Sequence, residues 1–399
     1  MKTHDVIVVG ARCAGSPTAM LLARKGYDVL LVDRATFPSD TLSTHLLHAP
    51  GVDALRRWGL LDRLIATGCP PIESYKFDFG PLVIEGAPGT AYAPRRTVLD
   101  ELLVNAAAEA GAEVREGFSV EEVLIEDGRA VGIRGHGKDW ASVTQRARIV
   151  VGADGRYSRV AKEVKPERYN EIGPILSGYY AYWSGLPVDG FETYVRPDRS
   201  WAVWPTHDGL TLVIAGWPYA EFEANKSDIE GNYLKMFELA PEFDARIRGA
   251  KRESRFAGTA VENYFCKPYG PGWALVGDAG YNKDFVTAQG MSDAFRDAEL
   301  CVTALDESFG GARSFDDAME TYHTTRDERS IGIFEFTTML ATLEPPPPET
   351  QQLLGAMVGN QDAIDGFARV VAGVTPPSEF FSEANVGRIF EQASAIATA

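Results

Sequence analysis

The sequence predicts an α/β protein in which a parallel sheet with helices is joined to a second, antiparallel sheet. Short apolar runs at residues 6–9 and 29–32 are unbroken, as expected of strands that are buried on both faces. Between residues 171 and 265 the pattern changes to short alternating runs broken by Gly, Pro and Asp, which is typical of antiparallel strands. The chain has 399 residues, more than a single hydrophobic core usually supports, so two lobes are expected.

The first unit, residues 5–34, has the order of a dinucleotide-binding fold. Gly10 ends the first strand, Gly15 opens a helix, and Asp33 ends the second strand 23 residues after Gly10. A tight turn of this kind leaves backbone N–H groups facing a pyrophosphate at the positive end of the helix. An acidic side chain at the end of the second strand can accept a hydrogen bond from an adenosine ribose hydroxyl. Arg12 stands where the G-x-G-x-x-G pattern has its second glycine.

The composition is that of an ordinary globular protein and excludes some partners. Apolar residues make up 45% of the chain and the net charge is −17. That charge argues against binding to nucleic acid or to anionic membranes, because both need a basic surface. The first strand starts at about residue 5, which leaves no room for a signal peptide, and no run of about 18 apolar residues predicts a membrane span. We therefore expect a cytoplasmic protein.

The cysteines and histidines are too scattered to predict a disulfide framework or a metal centre. None of the cysteines forms a C-x-x-C pair and the histidines form no metal-binding spacing. Free thiols are therefore expected, and no metal site is predicted. The cysteines are Cys13, Cys69, Cys266 and Cys301.

Further elements follow from the apolar spacing along the chain. A loop after Asp33 becomes helical near Gly51, and residues 75–84 are strand-like. Residues 94–111 predict an amphipathic helix. A strand at residues 113–115 is followed by a hairpin whose turn is Asp127-Gly128, and a further strand at residues 147–151 leads into a glycine-containing loop. The end of the chain is helical apart from residues 344–349, whose four consecutive prolines predict a stiff extended spacer.

Aromatic residues are concentrated between residues 179 and 219, where two interpretations stay open. Antiparallel sheets use aromatic residues freely for packing. A pocket for an aromatic or polycyclic substrate is lined in the same way. We expect Tyr180, Tyr182 and Trp204 to include at least one residue of such a pocket.

Two later motifs complete a recognisable set. Residues 152–155 read GADG and residues 277–280 read GDAG, and each follows an apolar strand. Each places a carboxylate, Asp154 or Asp278, where open α/β sheets bind ligands. Together with residues 5–34, these motifs resemble the flavoprotein monooxygenases of the para-hydroxybenzoate hydroxylase fold, a group that includes flavin halogenases and geranylgeranyl reductases. The resemblance covers residues 4 to about 305, and a bacterial FAD-dependent subgroup with the same motifs extends through the proline tract.

The resemblance implies a Rossmann-like FAD-binding domain, an inserted antiparallel-sheet substrate domain and a C-terminal helical segment. The FAD-binding domain would comprise residues 1–72, 93–170 and 266–330. The substrate domain would comprise residues 73–92 and 171–265, and the helical segment residues 331–399.

The resemblance also implies which residues hold FAD. The first turn would bind the ADP half, with Asp33 on the ribose and Arg34 beside it. Arg96 would contact FAD near its phosphates, with neighbouring Arg95 as a rival. Asp278 would bind the ribityl chain, and a helix that begins near residues 290–292 would point its N-terminus at the flavin ring. The implied cofactor-binding residues are Gly10, Arg12, Cys13, Ala14, Gly15, Asp33, Arg34, Arg96, Asp154, Gly155, Asp278, Gly290 and Met291.

Some of these positions keep two interpretations. Arg12 is either a ligand contact or a side chain that points to water, and Cys13 is either a small turn residue or a redox thiol. His45 is either a donor to substrate or reduced flavin, or a helix-start histidine bonded to backbone. Lys283 either assists a reacting oxygen or forms a surface ion pair. His45 and Lys283 are the candidate catalytic residues.

The function implied is an FAD-dependent monooxygenase that hydroxylates or epoxidises an organic substrate, using NAD(P)H, dioxygen and a flavin hydroperoxide. No second dinucleotide fold is visible, so NAD(P)H would bind transiently or a separate flavin reductase would supply electrons. A reductase of prenyl C=C bonds, a flavin halogenase and a non-catalytic FAD-binding protein are the alternatives. Residues 285–292 lack the proline, one glycine and the asparagine of the family motif, and residues 201–205 match the halogenase tryptophan motif only in part. Both monomer and homodimer remain open.

Overall fold

Two large sheets organise the chain, and the computed structural model describes residues 2–398. The strands are β1 Thr3–Val9, β2 Val29–Asp33, β3 Pro71–Ile72, β4 Tyr75–Asp78, β5 Val83–Gly86, β6 Ala91–Tyr92, β7 Glu113–Glu116, β8 Ser119–Glu126, β9 Arg129–His136, β10 Ser142–Gly152, β11 Arg168–Ile172, β12 Leu176–Ser184, β13 Phe191–Arg196, β14 Arg199–Pro205, β15 Thr211–Pro218, β16 Lys251–Arg252, β17 Ala257–Ala260, β18 Asn263–Cys266, β19 Tyr269–Gly270, β20 Trp273–Leu275 and β21 Tyr281–Asn282. The helices are α1 Gly15–Arg24, α2 Ala49–Trp58, α3 Leu61–Ile65, α4 Arg96–Glu109, α5 Arg159–Val164, α6 Phe222–Asn225, α7 Ile229–Phe237, α8 Pro241–Arg248, α9 Gly290–Phe309, α10 Phe315–Ala341, α11 Pro348–Ala356, α12 Gln361–Val371, α13 Pro377–Phe380 and α14 Glu383–Thr398.

The first sheet has the order β19-β20-β10-β1-β2-β7, and the strands from β20 to β7 run parallel. Both faces of its central strands are covered, which explains their unbroken apolar sequence. Val6 and Val8 pack with α1, α4 and α9 on one face. Ile7 and Val9 pack on the other face with the β8–β9 hairpin and α5. The carboxyl ends of β1, β2, β10 and β20 therefore meet along one edge.

The second sheet has the order β16-β12-β15-β14-β13-β4-β5, with β17 also paired to β12. Its inner face contributes Tyr180, Tyr182 and Trp204 to one apolar core, and its outer face contributes Trp183, Trp201 and Trp217 to another. The alternation follows from the period of two along a strand. A small third sheet, β11-β18-β21, joins the two crossings of the chain between the large sheets: β11 precedes β12, and β18 follows β17.

The C-terminal helices support the second sheet. Phe367 of α12 and Leu353 of α11 share the core of Tyr75 and Ile84 on β4 and β5, and Gln289 Nε2 donates to the Val371 carbonyl at 2.7 Å. The proline tract passes without regular structure from residue 343 to residue 347, and Pro348 opens α11.

The predicted α/β class is confirmed, and the structure differs from the expected substrate domain in two respects. Residues 222–248 form the helices α6, α7 and α8 inside the region expected to be sheet. Strand β4 also pairs parallel to β13, so the second sheet is not wholly antiparallel. The alternating pattern missed both features, because α7 and α8 pack one side on the outer face of the sheet, and because parallel pairing between distant segments leaves no local signal.

No helix in the described part of the chain is both long enough and apolar enough to cross a bilayer.

Candidate active site

A cavity of about 740 Å³ opens at the carboxyl ends of β1, β2, β10 and β20 and extends to the inner face of the second sheet. Its position is the one at which open α/β sheets bind ligands. The sheet edge, residues 40–44, the loop after β21 and the first turn of α9 surround it. Its volume lies within the range typical of ligand and cofactor sites.

The first turn depends on two glycines. Gly10 has a φ of +100°, and a Cβ there would lie 2.4 Å from the carbonyl oxygen of Ala153. A Cβ on Gly15 would lie 1.7 Å from the carbonyl oxygen of Gly10. Cys13 and Ala14 follow the turn and line the cavity with Gly10. The turn therefore requires glycine at both positions for close backbone packing.

Two of the three predicted strand-end acids brace their own loops. The Asp33 carboxylate accepts from the backbone N–H groups of Ala11 and Ala35, each at 2.7 Å. Asp154 accepts from Ser158 Oγ at 2.5 Å and from the Arg159 N–H at 2.6 Å, and burial raises its pKa. Both residues line the cavity, so their carboxylates fix the backbone around it.

Residues predicted beside these acids also lie at the cavity. Gly155 lines it with a φ of +78°, and Arg34 lines it with an exposed side chain.

Asp278 is the acid with free hydrogen-bonding capacity. Its carboxylate faces the cavity and accepts no hydrogen bond from the residues that the structure describes. The side chain is exposed to the open cavity, and the protein packed around it excludes bulk water on its other sides. This desolvation raises the pKa of Asp278 to about 6, against the opposing attraction of Arg96 and with added repulsion from Asp293.

The two neighbouring arginines at the start of α4 have different places. Arg96 is buried and lines the cavity. The Arg95 guanidinium instead lies 4.1 Å from the ring centre of Tyr182 and 3.7 Å from Asp40, and it does not line the cavity. The structure therefore favours Arg96 over its rival as the group that faces a ligand.

Arg12 and Cys13 both donate hydrogen bonds to Asp100, a residue that the sequence analysis did not predict at the site. Asp100, fully buried on α4, accepts from Arg12 Nη1 at 2.5 Å, from Arg96 Nη2 at 2.9 Å and from Cys13 Sγ at 3.5 Å. Burial raises the pKa of Cys13 to about 12, which keeps its thiol protonated. The available signal was the spacing of Asp100 four residues after Arg96, which places both on one helix face.

The loop after β21 supplies a cation to the cavity wall. Lys283 lines the cavity and forms an ion pair with Asp293, which Arg296 also contacts at 2.8 Å. The expected alternative of a surface ion pair is wrong, because both partners are buried. Burial lowers the pKa of Lys283, and the Asp293 charge opposes that shift.

The helix that follows starts where it was predicted. Gly290 is the first residue of α9, and Gly290 and Met291 both line the cavity. The partial positive charge of the helix N-terminus therefore faces the cavity.

His45 lies behind the cavity wall rather than in it. Its Nε2 is hydrogen-bonded to the Tyr182 hydroxyl at 2.5 Å, and its backbone has a φ of +60°. Burial, with Arg96 and Arg95 nearby, lowers its pKa well below the ordinary value, so the imidazole is neutral at pH 7. The prediction that His45 contacts substrate or flavin is not supported, because residues 40–44 form the wall in front of it.

The three aromatic candidates for the substrate pocket lie in different places. Tyr180 lines the cavity, whereas Tyr182 is turned to His45 and Trp204 is 1% exposed and stacked on Phe191 at 5.6 Å. Tyr182 and Trp204 therefore belong to the core behind the wall. Tertiary packing separates residues of one predicted aromatic cluster, which no local pattern indicates.

The wall around Tyr180 contains residues that the sequence did not suggest. Ile214 of β15 and Ala257 of β17 pair with Tyr180 on either side in the sheet, and both line the cavity with Gly178. Phe285 lies against Gly178, where a Cβ would come within 2.7 Å of its ring. Strand alternation from Tyr180 to Gly178 was the usable signal.

Among the described residues, no group of three or more His, Cys, Asp or Glu side chains is placed to hold a metal ion. All four cysteines are buried and free.

Comparison with known proteins identifies a family. Residues 3–337 match the family described as FAD binding domain. The chain is 29% identical over 306 residues to digeranylgeranylglycerophospholipid reductase 2 of Methanopyrus kandleri, which covers 72% of this chain and 73% of that protein. It is 26% identical over 332 residues to a 1H-pyrrole-2-carbonyl-[peptidyl-carrier protein] brominase of Pseudoalteromonas luteoviolacea, covering 78% of this chain and 79% of that protein.

Solved structures share the fold over nearly the whole chain. The myxobacterial chondrochloren halogenase CndH matches with a TM-score of 0.79 and 24% identity, covering 98% of this chain and 97% of that one. PqsL of Pseudomonas aeruginosa, described as a probable FAD-dependent monooxygenase, matches with a TM-score of 0.71 and 19% identity, covering 92% of this chain and 99% of that one. At these identities the similarity establishes the fold.

Proposed function

Because the chain belongs to the FAD binding domain family, we propose that it is an FAD-dependent monooxygenase acting on a compact organic substrate held against the second sheet. FAD as cofactor is confirmed by the family. The monooxygenase reaction and the substrate class are the proposal.

The cavity fits FAD at its nucleotide end. The glycine turn gives backbone N–H groups close access to phosphates, as in other dinucleotide sites. Asp278 has an unpartnered carboxylate able to accept from sugar-chain hydroxyls, and Arg96 supplies a cation. When bound, FAD accepts hydride from a reduced nicotinamide and, once reduced, activates dioxygen.

The observation that carries the proposal is the shape of the wall opposite the sheet edge. Gly178 and Ala257 are small residues, Ile214 and Tyr180 add apolar surface between them, and the Phe285 ring packs against Gly178. Behind them, the stacked and buried rings of Trp204 and Phe191 fill the inner core. An apolar wall with aromatic rings and buried aromatic packing behind it supports a compact, planar substrate better than a long prenyl chain.

The residues of this chain would orient substrate and exclude water. Residues 40–44 line the cavity, whereas the buried, hydrogen-bonded Tyr182 and His45 do not, so we assign no direct contact with a ligand to either of them. The N-terminus of α9 and the Lys283 ammonium favour negative charge on a ring bound beside them. NAD(P)H would bind transiently, or a separate flavin reductase would supply electrons.

Reaction of the purified, FAD-loaded protein under ¹⁸O₂ with a panel of aromatic acids, phenols and prenyl compounds tests this proposal. We expect one ¹⁸O atom in the product of an aromatic substrate, and NAD(P)H consumption that rises when this substrate is added. Saturation of a C=C bond without oxygen would instead establish a prenyl reductase, and the similar Methanopyrus kandleri protein is named a digeranylgeranylglycerophospholipid reductase. Halide incorporation would establish a halogenase.

A pair of variants localises the substrate. Ala257→Leu places a larger side chain in the cavity wall, whereas Ala260→Leu enlarges a residue of the same strand outside the cavity lining. We expect the first variant to raise KM for the substrate while FAD stays bound, and the second to leave KM unchanged. Equal effects of the two variants would contradict a substrate site at this wall.

A further inference from the structure

A single buried carboxylate joins two arginines beside the cofactor end of the cavity. Asp100 is 0% exposed, and its two oxygens are shared between different partners. Oδ1 accepts from Arg96 Nε at 3.0 Å and Arg96 Nη2 at 2.9 Å, and Oδ2 accepts from Arg12 Nη1 at 2.5 Å. Two like charges are thereby held close together, with one compensating negative charge between them.

Arg96 keeps one donor group free. Its Nε and Nη2 are both used by Asp100, whereas Nη1 makes no hydrogen bond with the residues that the structure describes. The side chain lines the cavity. A guanidinium fixed along one edge leaves its other edge pre-organised to donate to an anion.

Arg12, in contrast, uses its terminal nitrogens as hydrogen-bond donors to the protein. Its Nη1 also contacts the Ser39 carbonyl at 3.3 Å, and its Nη2 donates to Ser39 Oγ at 2.7 Å and to the Asp40 carbonyl at 3.4 Å. The guanidinium lies 5.3 Å from the ring centre of Phe37. Both terminal nitrogens are therefore committed to the protein.

We propose that Asp100, braced by Arg12, is a positioning residue that directs the free Nη1 edge of Arg96 to a phosphate of bound FAD. Arg12 acts through Asp100 rather than on the cofactor. The cluster of two arginines and one aspartate presents a net positive charge to the cavity, which favours an anionic group. The Asp100 carboxylate holds the two guanidinium groups together by accepting hydrogen bonds from both.

If Asp100 had a purely structural role, its substitution would have different effects on FAD affinity. If Asp100 only compensates buried charge, its loss weakens folding and FAD binding regardless of what stands at position 96, because breaking a buried ion pair destabilises the protein generally. If Asp100 positions Arg96, its effect on FAD affinity disappears once Arg96 no longer has a guanidinium. A double-mutant cycle separates these two roles.

The experiment measures FAD dissociation constants for the full-length chain by flavin fluorescence quenching, with reloaded wild type as reference. The variants are Asp100→Asn, Arg96→Met and the double variant. We expect Asp100→Asn to weaken FAD binding about tenfold or more, since a charge-assisted hydrogen bond contributes that much. In the Arg96→Met background we expect less than about a twofold further change. An equal loss in both backgrounds, or no loss in the first, would overturn the proposal.

Two further variants keep the test decisive if Asp100→Asn fails to fold. Arg12→Gln changes a partly exposed side chain that acts only through Asp100, so we expect it to weaken FAD binding about threefold, the effect of one ordinary hydrogen bond, and only when Arg96 is present. Loss of affinity by Arg12→Gln in the Arg96→Met background would show a direct contact of Arg12 and refute its bracing role. Glu109→Gln is the matched control, because Glu109 lies on α4 like Asp100 but forms an exposed ion pair with Arg63 of α3, and its loss should leave FAD affinity unchanged.

Discussion

The two walls of the cavity are built in different ways. The wall at the sheet edge consists of strand ends, the glycine turn and the first turn of α9, all within a few residues of an apolar strand or a helix start. The opposite wall depends on contacts between distant segments, such as the hydrogen bond between His45 and Tyr182, which lie 137 residues apart. Backbone geometry therefore defines the wall at the sheet edge, which is the proposed cofactor wall. Side-chain packing defines the opposite wall around Tyr180, which is the proposed substrate wall.

The difference implies that the two walls respond to mutation separately. If the proposal is right that backbone N–H groups and a few acids would hold FAD at the sheet edge, a change in the turn or strand ends should affect FAD retention. A change in the core behind Tyr180 should affect stability and substrate selection and leave FAD affinity largely intact. Four variants test this separation.

Gly10→Ala should have the largest effect and abolish FAD retention. The new Cβ would lie 2.4 Å from the Ala153 carbonyl oxygen at a φ of +100°, so the backbone must move, at a cost of about 2–5 kcal/mol. Flavin absorbance after gel filtration and chemical unfolding measure the two effects. Gly355→Ala in α11 is the control, since no atom lies within 4 Å of its added Cβ and the residue does not line the cavity, and it should retain FAD. Full FAD occupancy in Gly10→Ala would contradict a backbone-defined cofactor wall.

Trp204→Ala should reduce the free energy of unfolding by about 3–5 kcal/mol, as for other large buried aromatic residues. The side chain is 1% exposed and stacked on Phe191, so its removal leaves a cavity in the second core. Urea unfolding followed by tryptophan fluorescence gives the stability, and FAD titration should give an affinity within about twofold of wild type. Strongly weakened FAD binding at normal stability would show that the walls are coupled.

Tyr182→Phe should reduce the free energy of unfolding by about 1–2 kcal/mol, because it leaves the buried Nε2 of His45 without its hydrogen-bond partner. His45 has a positive φ, and the hydrogen bond helps to hold this conformation at the end of residues 40–44. We expect faster hydrogen exchange in residues 40–46 and a higher KM for substrate at unchanged FAD affinity. Unchanged exchange in this segment would show that the bond does not hold the wall.

Asp278→Asn should have the smallest effect on stability and a characteristic pH dependence. The pKa of Asp278 is raised from 3.8 to about 6 in the folded apoprotein, so the folded protein binds this proton more tightly than the unfolded chain. The contribution of Asp278 to the free energy of unfolding is therefore most favourable below pH 4, and it is lost as the pH rises through 6. The variant apoprotein should therefore be more stable than wild type at pH 7.5, by about 1 kcal/mol after allowance for screening in the open cavity. Thermal unfolding from pH 4 to pH 8 checks that the gain disappears near pH 4, and a pH-independent gain would contradict the shift. With FAD present, the same variant should bind the cofactor more weakly.

The sequence predicted the cofactor wall closely and the substrate wall poorly. Gly10, Asp33, Asp154 and Asp278 follow apolar strands, and parallel strands bring their carboxyl ends to one edge whatever the details of packing. Tyr180, Tyr182 and Trp204 were grouped as candidates by composition alone. Only one of the three lines the cavity, because register and neighbouring strands decide which face and which end of the sheet each ring occupies.

By itself, the sequence determined the elements that depend on backbone conformation: the buried strands, the glycine turn, the strand-end acids and the helix start at Gly290. The tertiary structure decided which charged and aromatic side chains share a space, including the bracing of Arg12 and Arg96 by Asp100 and the removal of His45 from the cavity. The reason is physical. Strand periodicity and the steric freedom of glycine act over a few residues, whereas a hydrogen bond or an ion pair between segments 88 or 137 residues apart exists only once the sheets have packed.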